Sequence, residues 1–454
     1  MTFIPEHFPH LEQQEARLER ALVGFSATDQ GRIRSALAFA RSAHEGQFRL
    51  GTTNIPYIIH PIRVACSLVD EFQLHDADAC MAALLHDVVE DCAVSLDIIA
   101  ERFGVKICGY VATLTWEKGV DAKWRQAHVM LRAPKMVRYV KAADVIDNAR
   151  ANWQITDRQK LLRMLYGYAH WGRRVAQSIG PPATIFLDAA LAKSSSIHFG
   201  EEPEPSLPPN AEKSLAIDVA TFPFKMPTYE RSIRYPIRTH VVSSSDDLIE
   251  VVKRYAVQYL RPGDLLAISE RIVAITQGRA FPISAIQPSA WATFLVRFVH
   301  KSPYGIGLAR SETMELAIRE AGLARVLFAA CIAAITKPFG LRGMFYRVVG
   351  ANINAIDGPC DYTIPLTSGE RYAKLGPKDP TGVATHLARE IGIDVAIIDA
   401  NDIGVNILGV SEGVDAAFVR AAFKDNPLGQ STEQTPMAIV RRSLDRSHAS
   451  TPRG

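Results

Sequence analysis

The sequence lacks the patterns that mark several classes of protein. Its six cysteines include no C-x-x-C pair, which argues against a structural zinc site or thioredoxin-type chemistry. It has no polybasic block and its net charge is only +3, so nucleic acid is not an indicated partner. The longest apolar run, around 326–335, is about half a membrane span, and the N-terminal segment does not resemble a secretory signal. We therefore expect a cytoplasmic protein with reduced thiols and no membrane partner.

The chain is long enough for more than one domain. Its 454 residues exceed what one hydrophobic core usually serves, so two domains are expected. Apolar residues recur at helical spacing from Gln30 to about Gly180, as in RIRSALAFARSAH, and predict an all-helical domain. The segment GEEPEPSLPPNAEKS then carries four prolines and almost no apolar residue, which indicates a linker.

The pattern changes after this linker. Short β-rich runs such as RYPIRTHVV and DVAIIDANDIGVNILGV alternate with helical ones, which predicts a mixed α/β domain of the α+β kind. The predicted organisation is an N-terminal extension at 1–29, an all-helical domain at 30–198, a proline-rich linker at 199–228, an α+β domain at 229–442 and a disordered tail at 443–454.

The segment AALLHDVVED places four ionisable residues in an otherwise apolar stretch. If it is helical, His86 and Glu90 are four residues apart, as are Asp87 and Asp91, so the four side chains occupy adjoining faces. Burying these groups without partners would be costly. A divalent cation is the simplest compensation, because imidazole and carboxylate are its natural ligands.

Two other segments could complete such a site, IPYIIHPIRVA with His60 and KAADVIDNAR with Asp144. Each residue also has an ordinary structural interpretation. A lone HD dipeptide is more often surface or capping chemistry, and His60 before Pro61 could be a loop residue at a helix start. Asp144 could simply pair with Arg150 or Lys141. The co-occurrence of all three segments in this order favours the metal site.

Four segments closely resemble the HD hydrolase domain of the RelA/SpoT alarmone enzymes and their small alarmone hydrolase relatives: ARSAHEGQFR, IPYIIHPIRVA, AALLHDVVEDCAVSLDIIAERFG and VKAADVIDNAR. This resemblance covers roughly 30–180. It implies a manganese-dependent enzyme that removes the 3′-pyrophosphate from ppGpp or pppGpp by metal-activated water. The site residues it implies are the metal ligands His60, His86, Asp87 and Asp144, the water-activating or water-orienting Glu90 and Asp91, and the nucleotide-contacting Arg49 and Asn148.

The helical half also departs from the family pattern. The loop LGTTNIP after Arg49 replaces a shorter KSGEP-like turn, so base recognition could differ. Asp147 stands where the family has an aromatic residue or histidine, which would add negative charge beside an anion site. No nucleotidyl-transferase region follows, which implies hydrolysis without synthesis.

The second half resembles the gamma-glutamyl ligase of the deazaflavin coenzyme F-420, and more narrowly its bacterial relatives, over about 230–442. The segments that carry this resemblance are PGDLLAISERIVAITQGRA, SPYGIGL, YRVVGANINAIDGP, LGPKDPTGVATHLAREIG and DNPLGQSTEQTP. It implies GTP-driven amide formation with two divalent metals, Mg²⁺ or Mn²⁺, held largely by aspartates. Asp357 matches one such aspartate. Asp399 and Asp402 lie where the ligase has an SDTFGR-type motif, but the Arg of that motif is missing.

Two hypotheses describe the whole chain. In the first, a nucleotide phosphohydrolase is fused to a GTP-dependent ligase. In the second, only the HD domain is catalytic, on another nucleotide, and the C-terminal domain is a ligand-binding or oligomerisation module through which a homo-oligomer could form. Six further polar residues lie where phosphate or carboxylate could bind: Ser269, Glu270, Lys337, Asn352, Lys378 and Gln430.

Overall fold

The computed structural model of the chain divides into two compact units, Met1–Pro203 and Glu204–Gly454. None of the described helices is long and apolar enough to cross a membrane. The five cysteines in the described part are free thiols, and Cys66 and Cys80 are buried as small core residues. The structure describes residues 10–49, 52, 54–117, 119–152, 155–199, 213–216, 231–299, 307–339, 341, 343–350, 353, 355–356, 358, 372–401, 404–424, 426–428 and 434–443.

The first unit is built from helices. Side-chain caps fix where several of them begin: Ser26 accepts a hydrogen bond from the N–H of Asp29 at 3.1 Å, and Asp76 accepts one from Ala79 at 2.8 Å. The helices are α1 (Leu11–Leu22), α2 (Ala27–Ala43), α3 (Ile59–Asp70), α4 (Ala77–Leu85), α5 (Val88–Asp91), α6 (Leu96–Phe103), α7 (Val105–Leu114), α8 (Val120–Met130), α9 (Lys135–Arg150), α10 (Arg158–Gly167), α11 (Arg173–Gln177) and α12 (Pro181–Phe199). A π-helical turn, Tyr168–Gly172, joins α10 to α11.

Helix α3 lies at the centre of this unit, packed against α1, α4 and α9. Every residue from Ile59 to Val69 is buried except Arg63. A helix buried on nearly all sides can carry polar residues only where they are paired or coordinated. His60 on α3 and Asp144 on the buried part of α9 are therefore expected to be paired or coordinated in the interior. Helix α1, within the predicted N-terminal extension, packs against α3 as well.

The second unit combines a mixed sheet with helices. Its six-stranded sheet has the order β1-β2-β8-β3-β6-β7, in which β3 and β6 are parallel and the other neighbours antiparallel, and β4 pairs with β5 separately. The strands are β1 (Lys213–Ala216), β2 (Arg231–Ile237), β3 (Leu265–Ser269), β4 (Ala280–Pro282), β5 (Tyr372–Lys374), β6 (Asp394–Asn401), β7 (Gly404–Val410) and β8 (Met437–Ser443). The helices are α13 (Leu248–Tyr255), α14 (Glu270–Thr276), α15 (Ala290–Leu295), α16 (Ser311–Ala321), α17 (Leu323–Thr336), α18 (Met344–Val349), α19 (Pro380–Ile391) and α20 (Ala416–Ala422).

The described residues of this unit bury two separate apolar clusters. One lies against the sheet and includes Phe418 and Phe423 of the α20 region. The other joins α15, α16, α17 and α18 to the β4–β5 pair through residues such as Met314 and Val326. The predicted fold class, an all-helical domain followed by an α+β domain, is confirmed.

The structure adds detail to the predicted boundaries. Strand β1 falls inside the stretch predicted as linker, 199–228, and pairs antiparallel with β2. Helix α12 runs to Phe199, whose ring is buried. The candidate ligands Asp357 and Asp402 lie outside the described residues, as do Asn352, Gln430 and the tail from 444.

Candidate metal centre

The chain turns between α4 and α5, at His86 and Asp87. The sequence pattern predicts one helix over 82–91. In the structure α4 ends at Leu85. A new short helix begins at Asp87, whose φ is −101° and ψ is −7°. Neighbouring residues of an unbroken helix do not face each other. The interruption instead brings Asp87 Oδ2 to 3.0 Å from His86 Nε2, so both side chains are directed at one point.

Helices α3 and α9 bring their polar side chains to the same point. His60 Nε2 of α3 lies 3.2 Å from Asp144 Oδ1 of α9 and 3.6 Å from Asp87 Oδ2. The ligand atoms of His60, His86 and Asp144 all lie within 4.8 Å of one another, and the three residues are buried. Within the described structure the two Nε2 atoms are buried without a hydrogen-bond partner. Two buried imidazole nitrogens facing two carboxylates are a suitable donor set for a divalent cation.

The electrostatics of the cluster keep its carboxylates ionised. Burial opposes ionisation of Asp144, yet Lys141, 2.9 Å from Oδ2, and the two imidazoles hold its pKa well below the usual value. Burial also opposes ionisation of Asp87, and His86 and His60 lower its pKa. Burial alone would lower the pKa of His86, but Asp87 and Asp144 reverse this and raise it. Ionised carboxylates are what metal ligation requires.

The ordinary interpretation of Asp144 is thus correct in part. The ion pair with Lys141 forms, whereas Arg150 hydrogen-bonds the Glu71 carboxylate at 2.7 and 3.0 Å. Lys141 also lies 4.1 Å from the Trp116 ring centroid. The Lys141 pair leaves Asp144 Oδ1 directed toward His60, so an ion pair and metal ligation are compatible at this residue.

The acidic pair Glu90 and Asp91 occupies two different environments. Glu90 is half-buried, and its Oε2 accepts a hydrogen bond from the Trp116 N–H at 3.1 Å. Burial raises the pKa of Glu90. Asp91 is exposed, and Tyr57 Oη lies 3.2 Å from its Oδ2 while donating to Asp87 Oδ2 at 2.7 Å. Tyr57 therefore links Asp91 to the cluster, a role that its place three residues before His60 did not reveal.

Arg49 and Asn148, the predicted nucleotide contacts, are linked to the cluster by hydrogen bonds. Arg49 Nη2 donates to Asn148 Oδ1 at 3.0 Å, and Asn148 Nδ2 donates to Asp144 Oδ1 at 2.6 Å. The N–H of Arg49 donates to the Ile55 carbonyl at 2.9 Å, which fixes its place at the base of the loop. The guanidinium also lies 5.5 Å from the Tyr57 ring centroid.

Asp147 does not add a free negative charge beside the site, contrary to the expectation from sequence. It is 2% exposed, its Oδ2 lies 2.8 Å from His60 Nδ1, and its Oδ1 lies 2.7 Å from Arg63 Nε. Burial opposes its ionisation, but Arg63 and His60 hold the pKa of Asp147 below its usual value. Its charge is therefore neutralised within the core.

Three of the polar residues singled out in the second unit, Ser269, Glu270 and Lys378, have structural partners. Buried Glu270 pairs with Lys374, which also donates to the Ala355 carbonyl at 3.1 Å. The backbone of Lys378 exchanges hydrogen bonds with the Gln277 side chain. Ser269 caps α14, and Asp379 caps α19 by accepting from the Gly382 N–H at 3.1 Å.

Comparison with known proteins agrees with this geometry. The family model "HD domain" matches 36–161, and the model "F420-0:Gamma-glutamyl ligase" matches 236–403. The guanosine-3′,5′-bis(diphosphate) 3′-pyrophosphohydrolase MESH1 of Xenopus tropicalis is 30% identical over 177 residues, 37% of this chain and 99% of that protein. MESH1 of Drosophila melanogaster is 35% identical over 117 residues, 25% of this chain and 65% of that protein, so the chain spans slightly less than two thirds of the fly relative.

Two further matches extend to the bacterial enzymes and to a solved structure. The bifunctional (p)ppGpp synthase/hydrolase SpoT of Escherichia coli K12 is 45% identical over 80 residues, 18% of this chain and 11% of that protein. A solved structure described as "A metazoan ortholog of SpoT hydrolyzes ppGpp and plays a role in starvation responses" is 26% identical, with a TM-score of 0.32, over 37% of this chain and 96% of that one.

The helical fold and its buried histidine–aspartate cluster define the first unit as a hydrolase-type HD domain. The chain belongs to the family of the guanosine-3′,5′-bis(diphosphate) 3′-pyrophosphohydrolases. Residues 236–403, in its second unit, match the F420-0:gamma-glutamyl ligase family model.

Proposed function

We propose that the first unit is a divalent-metal phosphohydrolase that removes the 3′-pyrophosphate of guanosine 3′,5′-bis(diphosphate). The observation that carries this proposal is the pair of buried, unpartnered Nε2 atoms of His60 and His86 directed at the carboxylates of Asp87 and Asp144. These four residues would hold the ion, for which we propose Mn²⁺, since imidazole and carboxylate together suit such a metal. When bound, the ion supplies Lewis acidity to a water and to the phosphoryl oxygens.

Glu90 is the proposed proton acceptor. Its carboxylate is held by the Trp116 N–H on one oxygen, which leaves the other to orient a water beside the cluster. The raised pKa of Glu90 brings it closer to neutral pH, where a general base or acid works best. Asp91, linked through Tyr57 to Asp87, is the proposed second carboxylate that keeps this water oriented.

Arg49 and Asn148 are the proposed nucleotide contacts. A guanidinium is well suited to phosphate oxygens because its donors form a planar fork. In this structure Arg49 donates to Asn148, which in turn donates to the Oδ1 of Asp144. A phosphate that accepts hydrogen bonds from Arg49 would therefore alter the hydrogen bonds that link Arg49 through Asn148 to the proposed metal ligand Asp144.

The test is hydrolysis by the purified full chain with Mn²⁺ and a nucleotide panel of ppGpp, pppGpp, GTP and ATP. We expect pyrophosphate release from ppGpp and pppGpp. Ion-exchange chromatography of the nucleotide products measures it. Release from GTP or ATP alone would assign the site to another nucleotide. No release from any of the four, in a protein that binds Mn²⁺, would reject the phosphohydrolase.

For the second unit we propose a GTP- and divalent-metal-dependent amide ligase. The match of 236–403 to the ligase family supports this, with Asp357 and Asp402 as the proposed metal contacts. The test is glutamate addition to the coenzyme precursor F420-0 in the presence of GTP and Mg²⁺ or Mn²⁺. Mass spectrometry detects the product. GTP binding without amide formation would favour a ligand-binding module. Light scattering would measure whether the chain forms the homo-oligomer predicted through this unit.

A further inference from the structure

The two histidines of the cluster are oriented by different kinds of acceptor. His86 Nδ1 lies 2.8 Å from the carbonyl of Ala83, three residues earlier in the chain. His60 Nδ1 lies 2.8 Å from the carboxylate of Asp147, which another helix supplies. Both acceptors require a proton on Nδ1, so in the neutral imidazole, the form that ligates a metal, the Nε2 lone pair is directed into the cluster. A carboxylate raises the basicity of a ligating imidazole, whereas a carbonyl has a weaker effect.

The carboxylate that orients His60 needs a partner of its own. Asp147 is 2% exposed, and a buried carboxylate without a nearby cation is strongly unfavourable. Arg63 meets this need, since its Nε lies 2.7 Å from Asp147 Oδ1. Arg63 is three residues after His60 on α3, so the guanidinium and the imidazole lie on one face of the helix and reach the two oxygens of one carboxylate.

We propose that Asp147 and Arg63 form a positioning pair for the metal centre: Asp147 fixes the tautomer and direction of the His60 ring, and Arg63 neutralises Asp147. This inference rests on the metal site of the proposed function, and goes beyond it by giving His60 and His86 unequal roles. His60, with its carboxylate partner, is the stronger ligand. The pair has no contact with the nucleotide and acts only through His60.

The experiment measures Mn²⁺ binding to the full chain without nucleotide, by electron paramagnetic resonance of the free ion. Asp147→Asn keeps an oxygen for the Nδ1 proton but removes the charge, and we expect the affinity to fall about 10- to 100-fold. Nitrogen modulation in the spin echo should show weakened coupling from one imidazole only. Asp188→Asn is the matched control, because Asp188 lies in an exposed pair with Arg173 in the same unit, and it should leave the affinity unchanged.

A second variant separates positioning from stability. Arg63→Met leaves the Asp147 carboxylate without its cation, so the melting temperature of the metal-free protein should fall. Arg63→Met combined with Asp147→Asn removes both charges and should restore much of that melting temperature, while the Mn²⁺ affinity stays low. Should Asp147→Asn fail to fold, this double variant provides the affinity measurement. Restored stability together with restored affinity would mean that the pair is only structural.

The outcomes distinguish this inference from the proposed function. Unchanged Mn²⁺ affinity in Asp147→Asn overturns the positioning role even if the wild-type chain hydrolyses ppGpp. A wild-type chain that binds Mn²⁺ but hydrolyses nothing rejects the phosphohydrolase, and weaker binding in Asp147→Asn would still support the pair. Absence of Mn²⁺ binding by the wild-type chain overturns both.

Discussion

Buried charge is handled differently in the two units. In the second unit Asp264 is paired with one cation, Arg441, through contacts of 2.9 and 2.7 Å, and burial still raises the pKa of Asp264. In the first unit Asp144 is buried as well, but Lys141 and two imidazoles surround it and its pKa is held well below the usual value. Arg441 does not offset the effect of burial on the pKa of Asp264, whereas Lys141 and the hydrogen bonds from two imidazoles do so for Asp144.

This contrast distinguishes a structural ion pair from a site whose metal-ligating nitrogens have no hydrogen bond. In the Asp264–Arg441 pair the guanidinium donates to both carboxylate oxygens and to the Tyr259 carbonyl. In the HD cluster the two Nε2 atoms remain without a hydrogen bond in the described structure. Buried polar atoms that are consistently left without partners at one point indicate a missing ligand. Four predictions test this contrast, from the largest expected effect to the smallest.

Asp87→Ala should abolish phosphohydrolysis and leave the fold of the first unit intact. The change removes a proposed metal ligand and the acceptor of the Tyr57 hydrogen bond, but no large apolar side chain. Pyrophosphate release from ppGpp and Mn²⁺ binding should be measured together, with circular dichroism as the check on folding. Asp188→Ala, on the exposed surface, is the control. Turnover retained with Mn²⁺ binding in the Asp87 variant would contradict the ligand role.

Glu90→Gln should keep Mn²⁺ but reduce kcat on the order of 10²-fold or more, because it removes a proton acceptor without removing a ligand. The Trp116 N–H can still donate to the amide oxygen, so the local structure should be preserved. The measurement is kcat at saturating Mn²⁺, beside the Mn²⁺ affinity. If affinity falls in proportion to kcat, Glu90 is a ligand and not a general base.

Arg441→Met should destabilise the second unit by about 3–5 kcal/mol, since it leaves Asp264 buried without its cation. Unfolding of that unit in urea measures this loss. Lys253→Met is the control, because its pair with Glu250 is exposed and should contribute about 0–1 kcal/mol. A loss no larger than in the control would show that the buried pair contributes little, and the contrast drawn above would fail.

The first unit should work without the second. A fragment of residues 1–203 retains α12 to its end, including buried Phe199, and should fold, bind one Mn²⁺ and hydrolyse ppGpp as the full chain does. A fragment of the second unit should begin before Lys213, because β1 belongs to its sheet. An insoluble or inactive first fragment, beside an active full chain, would show that the second unit completes its core or site.

Sequence patterns predicted the cluster but not its fine geometry. His60, His86, Asp87 and Asp144 lie in segments whose polar residues interrupt buried helices, and such interruptions can be read locally. The turn at His86 and Asp87 could not be predicted from the sequence, since no glycine or proline marks it. The contacts of Tyr57, Arg63 and Asp147 join residues far apart in the chain, and only tertiary packing brings them together.

The second unit differed more from its predicted pattern. Strand β1 begins at Lys213, within the last two residues of the proline-rich segment GEEPEPSLPPNAEKS, and pairs with β2 through the main chain. Asp379 begins α19 by a local interaction, in which its side chain accepts a hydrogen bond from the Gly382 N–H. Asp357 and Asp402 remain predictions from the resemblance alone.

The position of β8 has a consequence for how the chain is made. This strand, the last that the structure describes, lies between β2 and β3 in the sheet. During synthesis the strand pair β1–β2 and the group β3–β6–β7 emerge from the ribosome first and cannot join until β8 enters between them. The helices of the HD cluster are all complete by Arg150. A nascent chain should therefore carry a folded first unit while β2 and β3 still present open edges, the stage at which strands of neighbouring chains can pair wrongly.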